Sequence, residues 1–379
     1  MKIAKIEARP FRMPRDMQAA TGTAGTPTLL AKGNGDYRWS DVFPALYSVN
    51  FETALIKITL DNGVYGWGEA QAPLAPEVAC EIVRLLLAPA LEGAAFDGSR
   101  EEIEALWDRM YSTMRVRGQT GGFMLDAISG VDTALWDIAG KLAGMPVYAM
   151  LGGARRGVPA YVSGLPAASR RLTAEKYLGE GFAKFKLFFD VPETRDFLRA
   201  LDELPADAQI AVDALWRLTP QNCVTFGREL DARQALWLEA PLPPEDAAAH
   251  ATLAGQIHTP VAIGESYRTR FEMRPFFDRQ ALRVYQPDLG RCGITEGLRL
   301  AAMAAERGVA VVPHISIAMG PQIAAAIHFG AAVEACSLTE YNPQVLAVAN
   351  RYLHDPLRME GNAYSLPDRP GLGVDLRLE

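Results

Sequence analysis

GFAKFKLFFDVPETRDFLRALDELPADAQIAVDALWRLTPQNCVTFGRELDARQALWLEA, residues 181–240, decides the fold. Three short apolar runs, AKFKL (183–187), QIAVD (209–213) and ALWLE (235–239), alternate with longer runs of helical character. The pattern continues outward in both directions. VPAYVS (158–163) precedes the stretch, and PVAIGE (260–265), ALRVYQPD (281–288), VAVVPH (309–314) and CSLTE (336–340) follow it. Strand–helix alternation calls for a parallel sheet. Eight such strands call for closure into a TIM-type (β/α) barrel, of the α/β class. A doubly wound open sheet is the alternative architecture.

Seven of the eight runs end in, or carry near their ends, a residue fit for acid, base or metal chemistry: Lys186, Asp213, Glu239, Glu265, Asp288, His314 and Glu340. They are separated by 27, 26, 26, 23, 26 and 26 residues, one strand–helix unit each time. That spacing places them at one rim, and the active sites of such barrels lie at the C-terminal rim. Asp213, Glu239 and Glu265 end three successive strands. Three converging carboxylates repel one another unless a cation sits among them, and hard oxygen ligands with room for water suit Mg²⁺ better than zinc. Lys184 and Lys186 are two apart on one strand and so share a face. If that face is the barrel interior, burial and mutual repulsion lower a lysine pKa toward that of a general base. Asp288 and His314 end neighbouring strands, and an aspartate bonded to a histidine fixes its tautomer. His250, His258, His328 and His354 fall elsewhere and read as structural.

The segment before the barrel is mixed. Residues 2–9, 51–60 and 64–70 read as strands, and 76–90, 100–113 and 124–143 as helices. Ile128, Val131, Leu135, Ile138 and Leu142 form one apolar stripe on the last helix. Between the first two strands, residues from about 14 to 48 carry no helical period. Tyr37, Arg38, Trp39 and Phe43 make a lid the better reading than a spacer. A net charge of −7 argues against nucleic acid as a partner. No run is long enough to cross a membrane as a helix, and the N-terminus lacks the apolar core of a signal peptide, so the expectation is a cytoplasmic protein. Cys80, Cys223, Cys292 and Cys336 show no metal-binding spacing and read as reduced thiols.

GFAKFK (181–186), WLEAP (237–241), IGES (263–266), QPD (286–288) and PHIS (313–316) together resemble the mandelate racemase-like subgroup of the enolase superfamily. Members of that superfamily set a lysine or histidine base beside Mg²⁺, which stabilises an ene-diolate. The resemblance implies a modified (β/α)7β barrel over about 123–345, an α+β capping domain over 1–122 that bears the lid, and a C-terminal segment, 346–379, returning to the capping domain. It implies Mg²⁺ held by Asp213, Glu239 and Glu265. Lys186 becomes the base on one face of the substrate, and His314 acts on the other. Lys184 helps neutralise the substrate carboxylate, and Glu340 hydrogen-bonds the developing enediolate. Muconate cycloisomerases and dipeptide epimerases place a lysine where this chain has Asp288, and they fit less well. The chain also departs from the subgroup pattern at Leu215, Ala240 and the single Gly293. Leu215 replaces a polar residue, which makes Trp216 the candidate to enter the site.

The function expected is dehydration of a sugar acid to a 2-keto-3-deoxy acid, a carbon–oxygen lyase reaction. The polar lid residues Thr21, Thr23, Tyr37 and Arg38 suit a polyol, and Tyr37, Arg38, Trp39 and Trp216 are the candidate substrate contacts. Racemisation or epimerisation of a 2-hydroxy or amino acid uses the same bases and stands second. Cycloisomerisation and a non-catalytic binding barrel are more remote. The expected partner is a small carboxylate, and the resemblance implies a homodimer or homo-octamer.

Overall fold

The computed structural model describes residues 1–14, 35–40, 45–155, 157–191 and 193–378. The N-terminal part contains β1 (Ile3–Pro14), β2 (Tyr37–Ser40), β3 (Ala45–Ser48), β4 (Asn50–Leu60) and β5 (Tyr65–Ala70). β1, β4 and β5 form an antiparallel sheet in that order, and β2 pairs β3 as a separate hairpin. β1 runs past the expected boundary through Pro10, which pairs with Ala54. Proline is tolerated there because β1 is an edge strand. Helices α1 (Pro76–Ile82), α2 (Ala88–Leu91), α3 (Arg100–Arg115), α4 (Phe123–Ala143) and α5 (Val147–Met150) follow. The single helix expected at 76–90 holds a wider π-helical turn at Val83–Leu87 between α1 and α2.

α4 is buried nearly all round, because it lies between the N-terminal sheet and the barrel helices. Glycine permits the close approach. A Cβ at Gly68 would fall 1.8 Å from the Gly130 carbonyl oxygen, and one at Gly66 would fall 2.4 Å from that of Ala134. Asp137 on α4 accepts hydrogen bonds from the backbone N–H of Trp67 on β5 and of Leu372 near the C-terminus, each 2.8 Å.

The barrel strands are β6 (Gly157–Ser163), β7 (Lys184–Phe188), β8 (Gln209–Asp213), β9 (Leu238–Glu239), β10 (Val261–Ile263), β11 (Val284–Tyr285), β12 (Ala310–Val311) and β13 (Thr339–Tyr341). Between them lie α6 (Arg170–Gly179), α7 (Thr194–Asp202), α8 (Cys223–Ala232), α9 (Ala247–Ala254), α10 (Arg270–Asp278), α11 (Leu289–Ala305) and α12 (Pro321–Ala332). Each strand pairs in parallel with the next from β6 to β12. β13 pairs in parallel with β6, and a bridge from Val311 to Cys336 joins β12 to the β13 segment. The sheet is therefore closed, which rules out the open doubly wound alternative. After β13 comes only a short α13 (Pro343–Ala349) in place of a full eighth helix. The chain then forms the hairpin β14 (Met359–Glu360) and β15 (Ala363–Ser365), and β15 pairs antiparallel with β6. All four cysteines are buried and unpaired. Among the described residues no helix is long and apolar enough to cross a membrane.

Candidate active site

Period-two alternation builds the site in layers. Tyr161, Ala211, Trp237, Ala262, Val284, Val312 and Leu338 pack together as an apolar floor inside the barrel. Two residues further along the same strand segments stand Ser163, Asp213, Glu239, Gly264, Gln286, His314 and Glu340. Strand geometry thus carries one polar residue after another to the C-terminal rim. Glu265 follows Gly264, where a Cβ would lie 2.5 Å from the Gln286 backbone nitrogen, so only glycine allows that approach. Asp288 lies one pleat beyond Gln286, and a bridge pairs it with His314.

The rim residues meet in two linked groups. Lys186 Nζ lies 2.7 Å from Glu239 Oε1, 3.1 Å from Glu340 Oε1 and 3.6 Å from Asp213 Oδ2. His314 Nδ1 is 2.9 Å from Asp288 Oδ2, and its Nε2 faces Glu265 Oε2 at 3.1 Å and Glu340 Oε2 at 3.7 Å. Glu340 joins the groups and accepts a hydrogen bond from the Ile315 N–H at 3.0 Å. Glu239, Asp213, Lys186, Asp288 and Glu340 are buried, while Glu265 and His314 are partly open.

The charges are strongly coupled. Burial, and next the charge of Glu239, push the Asp213 carboxyl well above the usual carboxylate range. Burial raises Glu265 as well. The same burial acts on Glu340, but Lys186 and His314 outweigh it and hold that carboxyl at about 2. Burial pushes the Lys186 ammonium down, yet Glu239, Glu340, Tyr161 and Asp213 more than compensate and raise it well above its ordinary value. The expectation of a lowered lysine pKa is thus corrected, because Lys186 is surrounded by carboxylates. Lys184 opens β7 in register with Gln209, four residues below the level of Asp213. At about 3.3 Å per residue this is ~13 Å along the strand.

The donor set fits a hard divalent cation. The Glu239, Glu265 and His314 donor atoms lie within 4.8 Å of one another. Asp213 adds a third carboxylate beside the same Lys186, with its Oδ1 accepting from Leu215 N at 2.9 Å. Two adjoining turns are strained, with Leu215, Trp216 and Ala240 at φ of 53°, 59° and 44°. Left-handed backbone in bulky residues costs about 1–3 kcal/mol each and concentrates at functional sites.

The candidate substrate contacts come from β2 and from the turn after β8. Trp216 packs edge-on to His250 and Tyr267. The Tyr37 hydroxyl donates to Glu52 and accepts from the Ala75 N–H, Arg38 is half-buried in the β2–β3 hairpin, and Trp39 is exposed. Thr21, Thr23, Phe43 and most of the expected lid lie outside the described residues. His328 has both ring nitrogens on backbone groups, and His250 sets Nδ1 against the Asp246 carbonyl.

Three residues at the site escaped sequence reading. Gln286 Nε2 and Trp237 Nε1 both donate to Glu239 Oε2, at 2.7 and 3.0 Å. Gln322 Nε2 donates to Asp288 Oδ1 at 2.8 Å. Gln286 and Trp237 were findable, standing two residues before Asp288 and Glu239 on the same strand faces; Gln322, on α12, carried no such signal.

A closed parallel barrel with a rim of three carboxylates, a lysine and an Asp–His pair defines a class of metal-assisted, proton-abstracting enzymes. The chain belongs to the mandelate racemase and muconate lactonizing enzyme family of the enolase superfamily: residues 45–152 match its N-terminal domain and residues 169–379 the enolase C-terminal domain-like model. It is 31% identical to a D-galactarolactone cycloisomerase from Agrobacterium fabrum, over 85% of this chain and 88% of that protein. It is 30% identical to an arabinonate dehydratase from Saccharolobus solfataricus, over 93% and 95%. An enolase-superfamily structure from Agrobacterium tumefaciens superposes with a TM-score of 0.91 at 31% identity, covering 99% of this chain and 96% of that one. A racemase from Streptomyces coelicolor with bound magnesium superposes with a TM-score of 0.83 at 25% identity, covering 99% and 97%.

Proposed function

We propose that this protein is a Mg²⁺-dependent lyase that removes the proton α to the carboxylate of a sugar acid and expels the β-hydroxyl, giving a 2-keto-3-deoxy acid. The observation that carries the reading is the arrangement of Asp213, Glu239 and Glu265 beside the Asp288–His314 pair. Those three carboxylates would hold the metal, which supplies Lewis-acid stabilisation of charge developing on the substrate carboxylate. Lys186 adds a fixed positive charge to the same environment. Asp288 orients the His314 ring through Nδ1 and leaves Nε2 on the side of Glu265 and Glu340. Loss of the α-proton and of hydroxide leaves an enol, which becomes the 2-keto acid.

The arabinonate dehydratase relative supports this reaction class. The cycloisomerase relative supports a second reading, in which a ring ester oxygen departs in place of hydroxide. Both begin with the same proton transfer. A library of aldonic and aldaric acids and their lactones, assayed with Mg²⁺ for 2-keto acid, tests the proposal. At least one member should give product. Absence of product across the library, with a folded protein, would overturn it.

A further inference from the structure

Two residues beyond the apolar floor, seven strand segments carry a polar residue or a glycine, and on β6 that residue, Ser163, is in register with Lys186. β7 is the exception: the residue in register with Asp213 is Phe188, and Lys186 stands one pleat lower, in register with Ala211. Lys186, on the same face, reaches up so that its ammonium lies 5.5 Å from the centre of the Phe188 ring and 5.9 Å from that of Tyr161 in the floor. Phe188 leans over the end of β6, where a Cβ at Gly164 would come within 3.3 Å of its Cε2. The ammonium is thus bounded by two aromatic rings and three carboxylates, and its side chain is 1% exposed. His314 stands three strands away round the ring, across β13 and β6, and is the more open of the two groups.

We propose that Phe188 makes this a one-base site, in which His314 alone carries the substrate's protons and the β7 side of the substrate meets a hydrocarbon wall. This rests on the sugar-acid elimination proposed above. The steps balance with one group. The Cα–H bond breaks and its proton goes to His314 Nε2; the Cβ–O bond then breaks, and the same proton leaves with the oxygen as water. The enol takes its final proton from solvent. Inversion at Cα needs a second proton carrier on the opposite face, and a phenyl ring can neither give nor take one. Phe188 is therefore a specificity-determining residue that selects elimination over racemisation.

The test follows a responding acid in deuterated water with Mg²⁺ by NMR. Wild type should form keto acid while the recovered substrate keeps its configuration at Cα. His314→Asn should lose both α-proton exchange and elimination, by about 100- to 10,000-fold. Phe188→Lys, checked for folding by its thermal melt, should begin to produce the Cα epimer, a gain that misfolding cannot imitate. Continued exchange in His314→Asn, an epimer from wild type, or no epimer from a folded and eliminating Phe188→Lys would each overturn the one-base assignment. Wild type inert on every acid would instead remove the parent reading, and this inference with it.

Discussion

Asp288 shows how one side chain sets another's chemistry. Its Oδ1 accepts from the Gly290 N–H at 2.9 Å and from Gln322 Nε2 at 2.8 Å, which leaves Oδ2 for His314 Nδ1. The carboxylate therefore keeps a proton on Nδ1 and makes Nε2 the nitrogen that exchanges protons; burial lowers the ring, but Glu340, Asp288 and Glu265 outweigh it and raise it to about 10. An amide in its place would keep its oxygen on the two donors and offer N–H to Nδ1. The ring proton would then sit on Nε2, and the base would be lost. Asp288→Asn should therefore lower kcat by about 100- to 10,000-fold with little change in KM. Steady-state kinetics of the purified variant check this; a kcat within threefold of wild type would contradict the assigned role. Glu69 works at one remove. Its carboxylate on β5 accepts from the N–H groups of Met319 (2.6 Å), Gly320 (3.2 Å) and Gln322 (3.1 Å), so a residue outside the barrel caps α12. Glu69→Gln turns an amide toward those donors and should cost about 1–3 kcal/mol in urea denaturation.

At the level of elements, the legibility of the sequence follows from physics. Strand–helix alternation and near-constant spacing were visible because each βα unit buries a similar amount of chain. α4 was visible because its stripe steps by three and four, and the expected 124–143 differs from Phe123–Ala143 by one residue. Depth along a strand was not visible. A period of two gives the face, so Lys184 and Lys186 read as a pair. Only the register shows Lys184 opposite Gln209 and Phe188 opposite Asp213. Turn geometry was not visible either: Trp216 has a left-handed backbone at φ 59°, and its ring packs edge-on to His250 and Tyr267. The packing of α4 also carries a prediction. Gly68→Ala would drive a methyl into the Gly130 carbonyl, so the strand and helix must separate. A loss of about 3 kcal/mol in chemical denaturation is expected. A variant as stable as wild type would show that the contact is looser than described.

Across the whole molecule, distant segments are joined by buried polar groups. His328 on α12 accepts the Tyr148 N–H at Nδ1 (3.1 Å) and donates from Nε2 to the Leu372 carbonyl (3.0 Å). Burial pushes it down to about 4, against an ordinary value of 6.5. Protonation would set a second donor against the Tyr148 N–H. Between pH 4 and 6.5 the unfolded chain therefore binds more protons at this residue than the folded one. Its contribution is fully present above pH 6.5 and is lost as pH falls through that window. The total is on the order of 3 kcal/mol. Urea midpoints at pH 7 and pH 4.5 should differ more in wild type than in His328→Gln; equal differences would contradict the buried neutral ring. The joined scaffold serves the rim, and the rim's central claim is that Asp213, Glu239 and Glu265 hold a divalent cation essential to turnover. The most direct measurement strips the protein with chelator, verifies its metal content, and assays the responding acid before and after Mg²⁺ is restored. Turnover should vanish and return with the metal in wild type, and should not return in Glu239→Gln. Full turnover by the stripped protein would contradict the account.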